Sequence, residues 1–244
     1  MRILTAVALA GVGLWLMPAA LEAATLPPVW ESDFGSMIVA GDDDVSGEIN
    51  LGINFPFFGT SHSTVEASTN GFLSFGSSNG AGCCNGNVED FLKNSPRIAP
   101  AWMDWVTAVY QNVFADHVTF TWDGSECCSP TNPGTFQVRL YSDGRIVFAY
   151  ANAGLVAHSA LIGVTPGADA TDPGPSSFAA NFTSPNSTIY EITSDLSFLQ
   201  EGNRFLTPQG SGWQVTGAIP EPATLGLALG GVALLLIGAK RTRT

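Results

Sequence analysis

The feature that most constrains the fold is a strict two-residue alternation of apolar and polar side chains. Glu48–Phe55 places an apolar residue at every second position, and His117–Trp122 repeats the pattern. Successive side chains of a strand point to opposite sides, so each segment is predicted to be a strand with one buried and one wet face. Turn signals such as Asn70-Gly71 and Asp123-Gly124 recur, and no long stretch has helical periodicity. The chain is therefore predicted to be all-β, an antiparallel β-sandwich.

One hairpin is predicted down to its register. Two strand-like segments, Thr135–Tyr141 and Arg145–Tyr150, flank Ser142-Asp143-Gly144. A two-residue loop would split the large apolar side chains between the two faces of the hairpin. A three-residue loop with a left-handed Gly144 puts all of them on one face, so burial favours it. The predicted pairs are Leu140 with Ile146, Val138 with Phe148, and Phe136 with Tyr150.

The N-terminus has the features of a secretory signal. Arg2 precedes the apolar stretch Ile3–Met17, and small residues follow it up to Ala23. This arrangement predicts a signal peptide over residues 1–23, recognised by the general secretion machinery and removed by signal peptidase. The protein is therefore predicted to be exported.

The C-terminus ends on an apolar run with a basic tip. Ala223–Ala239 is uncharged and just long enough for a single membrane helix, and three basic residues follow within the last five positions. The positive-inside bias then places the C-terminus in the cytoplasm and the preceding chain outside.

Pro220-Glu221-Pro222 directly precedes this predicted helix. The order of motif, apolar helix and basic tip over residues 220–244 resembles the PEP-CTERM sorting signal. That resemblance implies recognition and cleavage near the motif by exosortase, in Gram-negative bacteria that make exopolysaccharide. It also implies a precursor anchored transiently in the inner membrane. The mature form is then expected at the cell surface or in the extracellular matrix of a biofilm.

The predicted exported part is strongly acidic. Residues 24–222 contain five of the nine Lys and Arg residues and twenty of the twenty-one Asp and Glu residues, which gives a net charge of −15. Such a surface repels polyanions, so nucleic acid is excluded as a partner.

Three segments of the predicted exported part resemble the nidogen-like extracellular domain. They are Asn50–Gly59, Val65–Phe75 and Ile98–Trp102. That family is associated with the extracellular matrix and the cell surface, which implies a structural or adhesive role with exopolysaccharide or matrix proteins as partners. The domain is expected over residues 24–206, and the Gly-, Ser- and Thr-rich segment 207–219 is expected to be a linker to the sorting signal.

Two vicinal cysteine pairs, Cys83-Cys84 and Cys127-Cys128, lie in loop-like surroundings. In an oxidising compartment they are expected to form two disulfides that join one pair to the other. Closing a loop of about 44 residues would stabilise the fold by roughly 4 kcal/mol on the chain-entropy model. A four-thiolate zinc site and free thiols are the alternatives, although adjacent cysteines lack the usual spacer between zinc ligands.

Two other groups are candidate binding residues. Asp42-Asp43-Asp44 offers the hard oxygen ligands that Ca²⁺ prefers, and a solvated acidic turn is the alternative. Asp104 lies between Trp102 and Trp105, whose rings could form the floor of a sugar-binding site or simply belong to the core. A carbohydrate- or calcium-binding extracellular module is accordingly the second functional hypothesis.

No motif for catalysis occurs in the chain. The three histidines are isolated, and the sequence has no nucleophile elbow, zinc-protease motif or phosphate-binding loop. The protein is expected not to be an enzyme, and no cofactor is expected apart from Ca²⁺. A secreted hydrolase is the third hypothesis, because a catalytic carboxylate pair leaves no signature in sequence. The histidines are His62, His117 and His158.

Overall fold

The computed structural model describes residues 30–77, 85–200 and 202–217. These residues form fourteen strands and two short helices. The strands are β1 Ser36–Asp42, β2 Val45–Phe57, β3 Thr60–Ser68, β4 Phe72–Ser74, β5 Arg97–Trp102, β6 Trp105–Val113, β7 His117–Glu126, β8 Ser129–Tyr141, β9 Ile146–Asn152, β10 Leu155–Thr165, β11 Phe182–Ser184, β12 Ile189–Asp195, β13 Arg204–Gln209 and β14 Gly212–Gly217. The helices are α1 Val88–Lys93, between β4 and β5, and α2 Ser197–Gln200, between β12 and β13.

The strands form two antiparallel sheets. The larger sheet has the order β1-β6-β7-β8-β9-β13-β14-β11, and the smaller has the order β12-β10-β5-β4-β3-β2. Their apolar faces share one main core, so the prediction of an all-β sandwich is confirmed. No helix among the described residues is long and apolar enough to cross a bilayer. The predicted signal peptide, 1–23, and membrane helix, 223–239, lie outside the described residues.

The β8–β9 hairpin has the predicted register. Leu140 pairs with Ile146, Val138 with Phe148, and Phe136 with Tyr150. All six side chains are buried, none with more than 7% of its surface exposed. The loop residue Gly144 has φ +88°, the left-handed conformation that the three-residue loop requires. Burial therefore does select this register.

Three aromatic side chains of the larger sheet reach across the core with their polar atoms. Each donates a hydrogen bond to a backbone carbonyl of the smaller sheet, and each is buried. The bonds are Trp105 Nε1 to Ala101 O (2.8 Å), Trp122 Nε1 to Ser68 O (2.7 Å) and Tyr150 Oη to Pro100 O (2.6 Å). The sheets are thus joined by directional bonds as well as by apolar contact.

The outer face of β7 differs from the prediction. Its inward side chains lie in the core as expected, but outward Thr119 and Thr121 are 1% and 0% exposed instead of wet. The segment before β1 contacts this face: Glu31 N donates to Gln137 Oε1 (3.0 Å), and Gln137 Nε2 donates back to Glu31 O (2.8 Å). Gln137 Nε2 also donates to Thr121 Oγ1 (3.0 Å). The wet-face prediction is wrong here because polar side chains on this face bond to each other and to that segment.

The linker prediction for 207–219 is also wrong for residues 207–217. The end of β13 and all of β14 lie in this segment, and β14 pairs with β13 on one side and with β11 on the other. Trp213 and Val215 of β14 point into the core. The domain boundary therefore moves from residue 206 to residue 217, and residues 218–219 lie outside the described chain.

Replacing Gly144 by valine is expected to lower the free energy of unfolding by about 1 kcal/mol or more, since a β-branched residue resists positive φ. A Cβ at this position would also lie 3.2 Å from Pro56 O. Gly154→Ala is the control, because a Cβ there would meet no atom within 4 Å. Urea denaturation measures both variants, and equal stability of the two would contradict the assignment.

Candidate functional site

Candidate residues that are far apart in sequence meet at one end of the sandwich. Asp42 ends β1, Asp104 lies in the β5–β6 connection, and Cys127 follows β7. One ligand atom from each lies within 4.8 Å of the others. Asp42 is exposed, whereas Asp104 keeps only 9% of its surface accessible. We refer to Asp42, Asp104 and Cys127 as the carboxylate–thiol cluster.

A buried amide fixes the geometry of this cluster. Asn70 is fully buried, its Nδ2 donates to Asp43 Oδ1 (2.7 Å), and its Oδ1 accepts from Trp105 N (2.9 Å). The acidic turn is thereby tied to the connection that carries Asp104. Asp43 itself has φ +57°, a conformation that aspartate tolerates better than most residues.

The three consecutive aspartates have different surroundings. Asp43 is engaged by Asn70, and Asp44 Oδ2 lies over Gly41, 1.9 Å from where a Cβ of that glycine would be. The backbone of Asp44 pairs with Thr69. Only Asp42 belongs to the cluster, where its carboxylate lies near that of Asp104, and Ca²⁺ binding by Asp42, Asp43 and Asp44 stays a prediction.

Burial raises the pKa of Asp104, and the nearby carboxylates of Asp42 and Asp43 raise it further. The positive potential of His158 opposes this shift. Within 30–77, 85–200 and 202–217, no lysine or arginine forms an ion pair with Asp104. The ionised form of Asp104 is thus disfavoured in the folded protein.

The cysteine of the cluster is not set up as a nucleophile. Its thiol pKa is raised to about 12, mainly by the contact with the Cys128 thiol, with contributions from burial and from Asp104 and Asp42. The two sulfur atoms are 3.3 Å apart and not bonded to each other. A thiol with such a pKa remains protonated at neutral pH, which disfavours both thiolate attack and metal ligation. Cys83 and Cys84 lie outside the described residues, so the pairing of the four cysteines stays a prediction.

Next to the cluster is a buried carboxylate that sequence reasoning missed. Burial by itself would raise the pKa of Glu126, but hydrogen bonds from Asn132, Ala157 and His158 outweigh it and hold the pKa below its ordinary value. His158 contributes both its backbone N (2.7 Å) and Nδ1 (2.8 Å) to Glu126 Oε1. Glu126 therefore fixes the end of β7 to β10. No sequence pattern marks this role, because Ala157 and His158 lie 31 and 32 residues away along the chain.

A second loop binds β10 at the adjacent residue. Ser159 N donates to Asn85 Oδ1 (3.1 Å), directly after the His158 amide that binds Glu126. Asn85 follows Cys84 in the chain, and Glu126 precedes Cys127. The residues that flank the two cysteine pairs are thus held at neighbouring amides of one strand.

The two tryptophans beside Asp104 are not accessible. Trp102 is 1% exposed and packs in a small cluster with Phe72 and Phe91, while Trp105 is fully buried in the main core. Their rings offer no free face to a sugar, so the sugar-floor hypothesis for Trp102, Asp104 and Trp105 is wrong. They belong to different clusters because the chain crosses between the sheets at this point.

Asp104→Asn is expected to raise the unfolding midpoint at pH 7 in the presence of chelator. The raised pKa means that the ionised carboxylate opposes folding at neutral pH, and this opposition vanishes below the unfolded-state pKa of about 3.9. The gain should therefore shrink as the pH falls towards 4. Asp116→Asn is the control, since a hydrogen bond with His117 lowers the pKa of Asp116 and its loss should not stabilise the protein. A lower midpoint for Asp104→Asn at pH 7 would contradict the electrostatic assignment.

Comparison with known proteins gives a family match, and it covers most of this fold. The sequence model of a family described as NIDO related matches residues 23–204. This range is well over half of the 244-residue chain and contains the carboxylate–thiol cluster. It supports the nidogen-like resemblance of the domain. No curated protein and no solved structure shows a significant match. Because the family match covers well over half of the chain, the chain belongs to the NIDO-related family.

Proposed function

We propose that the protein is an exported structural or adhesive module of the cell surface or extracellular matrix. The observation that carries this proposal is the NIDO-related match over residues 23–204, since a nidogen-like domain suggests an extracellular protein. The two-sheet sandwich is compatible with a binding or scaffolding role. Exopolysaccharide or other matrix proteins are the proposed partners.

Delivery is proposed to use the C-terminal segment. β14 ends at Gly217, so the Pro220-Glu221-Pro222 motif begins beyond the last strand of the sandwich. A cut there would leave all described strands in the mature protein. The proposed sequence of events is export, transient inner-membrane anchoring, cleavage by exosortase and transfer to the surface or the biofilm matrix.

The two cysteine pairs are proposed to be joined by disulfides in the mature form. Asn85 and Glu126, which flank them, bind amides of consecutive residues in β10. Two such anchors hold Asn85 and Glu126 close together, and this proximity favours a bridge between the adjacent cysteine pairs. Oxidation would also remove the thiol donor beside Asp42 and Asp104.

Intact mass spectrometry of the protein from the producing cells tests processing and bridging together. We expect a chain that starts at Ala24, ends near Pro220–Pro222 and lacks the four hydrogens lost on forming two disulfides. The matched variant replaces Pro220, Glu221 and Pro222 by alanine and should keep Thr244 and remain with the inner membrane. A wild-type protein that retains Thr244 permanently in that membrane would overturn the delivery proposal.

Weak calcium binding is a second candidate function. The observation that favours it is the approach of Asp42 to the buried Asp104. The pKa of Asp104 is raised by burial and, to a smaller extent, by the carboxylates of Asp42 and Asp43, and a bound cation would offset that repulsion between carboxylates. Two carboxylates supply fewer oxygens than Ca²⁺ prefers, and sulfur is not a ligand for this hard ion. Binding would need waters, so an affinity on the order of 10⁻⁴–10⁻³ M is expected, as in other extracellular modules.

Thermal unfolding with increasing Ca²⁺ tests this second function. The midpoint of the wild type should rise at millimolar Ca²⁺, because an ion that binds only the folded state stabilises it. Asp104→Asn should abolish the rise, whereas Asp116→Asn should retain it, since Asp116 lies in the β6–β7 turn outside the cluster. The same rise in all three proteins would assign the effect to general charge screening.

A further inference from the structure

A cleft lies where three hairpin turns meet, at the end of the sandwich opposite the carboxylate–thiol cluster. The turns are β2–β3, β8–β9 and β13–β14. The cleft has a volume of about 210 Å³, and its walls are largely proline and aromatic side chains with one carboxylate. The residues that shape it are Pro56, Phe58, Asp143, Gly144, Pro208 and Trp213.

Phe58 is an unusual choice for its position. The loop Phe58-Gly59 connects β2 to β3, and both residues have positive φ, +48° and +79°. Two-residue hairpin loops of this kind favour Asn-Gly, and positive φ is a real outlier for a bulky residue. Such strain often marks a functional position. Its consequence here is that the Phe58 ring lies against the cleft, edge-on to Trp213 with ring centres 5.8 Å apart.

The lining determines which class of ligand fits. A half-buried phenyl ring and two prolines offer apolar surface, while the Asp143 carboxylate and exposed backbone of Gly59 and Gly210 offer hydrogen-bonding groups. Sugar rings combine an apolar C–H face with peripheral hydroxyls and match this mixture. The volume is below the range of drug-sized pockets, so one ring fits and a longer stretch does not.

The negative charge of the protein further restricts which sugars fit the cleft. Residues 24–222 carry a net charge of −15, and the side chain of Asp143 adds a carboxylate at the cleft itself. Arg145 offsets part of that charge, since its Nε donates to Asp143 Oδ2 (2.8 Å). A uronate would still meet an acidic surface, whereas a neutral sugar would not.

We infer that this cleft binds a single neutral hexose unit of a glycan, and this inference deepens the proposed adhesive role. The direction of β14 is consistent with an adhesive role. The strand starts at Gly212, beside the cleft, and runs about 17 Å away from it to Gly217. The chain then continues to the Pro220 motif. A protein held by its processed C-terminus would therefore present the cleft on the far side of the sandwich.

Binding is tested with gluco-, galacto- and manno-oligosaccharides on an array, with oligouronates as the charged comparison and titration calorimetry of the best neutral probe. The wild type should bind at least one neutral series and no oligouronate. Phe58→Asn gives the turn a residue that it favours but removes the ring, and should weaken binding about tenfold. Phe114→Ala is its control, since this aromatic side chain lies in the neighbouring β6–β7 turn and does not line the cleft.

A second variant tests the cleft without changing any aromatic side chain. Gly210 lines the cleft, has φ +62°, and a Cβ there would meet no atom within 4 Å. Gly210→Asn should obstruct the cleft, and it should lower the unfolding midpoint only slightly because asparagine tolerates positive φ better than most residues. Gly174→Asn is the matched control, with φ +78° and equally open space away from the cleft.

The outcomes separate this inference from the proposed delivery. Binding is measured on the purified protein whichever C-terminus it carries, so a failure of cleavage does not affect the result. Loss of binding in Phe58→Asn and Gly210→Asn, with both controls unchanged, supports the cleft. Binding of no neutral probe, preference for oligouronates, or unchanged affinity in both cleft variants would overturn it while leaving the surface role intact.

Discussion

The sandwich depends on polar atoms of aromatic side chains that cross the core and bond to backbone carbonyls of the other sheet. Trp122 and Tyr150 bury their rings completely or nearly so while their N–H and O–H groups satisfy Ser68 and Pro100. Losing one partner of such a buried pair costs about 1–3 kcal/mol. Burial also keeps the pKa of Tyr150 far above its ordinary value, so its hydroxyl stays a donor. Directional bonds across the core fix how the sheets are aligned, which apolar contact alone does only loosely.

This alignment separates the chemistry of the two ends. At one end, crossing between the sheets brings Asp104 against Asp42 and Cys127, and Asn70 and Glu126 hold the loops there. At the other end, tight hairpins supply rings, prolines and exposed backbone. One end thus concentrates negative charge and the other offers apolar surface, and a single scaffold keeps them apart.

Short sequence patterns predict the features of the fold that are decided by residues close together in the chain. The register of β8–β9 followed from burial of six side chains around Gly144, and the structure has it. The covered outer face at Thr121 was not predictable, because Glu31 and Gln137 are separated by 106 residues. The approach of Asp42 to Asp104 is equally non-local. The sequence predicts a linker at β14 because its glycines and threonine are typical of one, although Trp213 and Val215 alternate as in a strand.

The position of the last strand has a mechanical consequence. β14 ends at Gly217, and Pro220 is three residues further along the chain. Three fully extended residues span at most about 10 Å. Any enzyme that cuts at the proline motif must therefore work almost in contact with the finished sandwich. That enzyme then has to accommodate the body of the domain as well as the motif, and a bulky group added near the end of β14 would obstruct it.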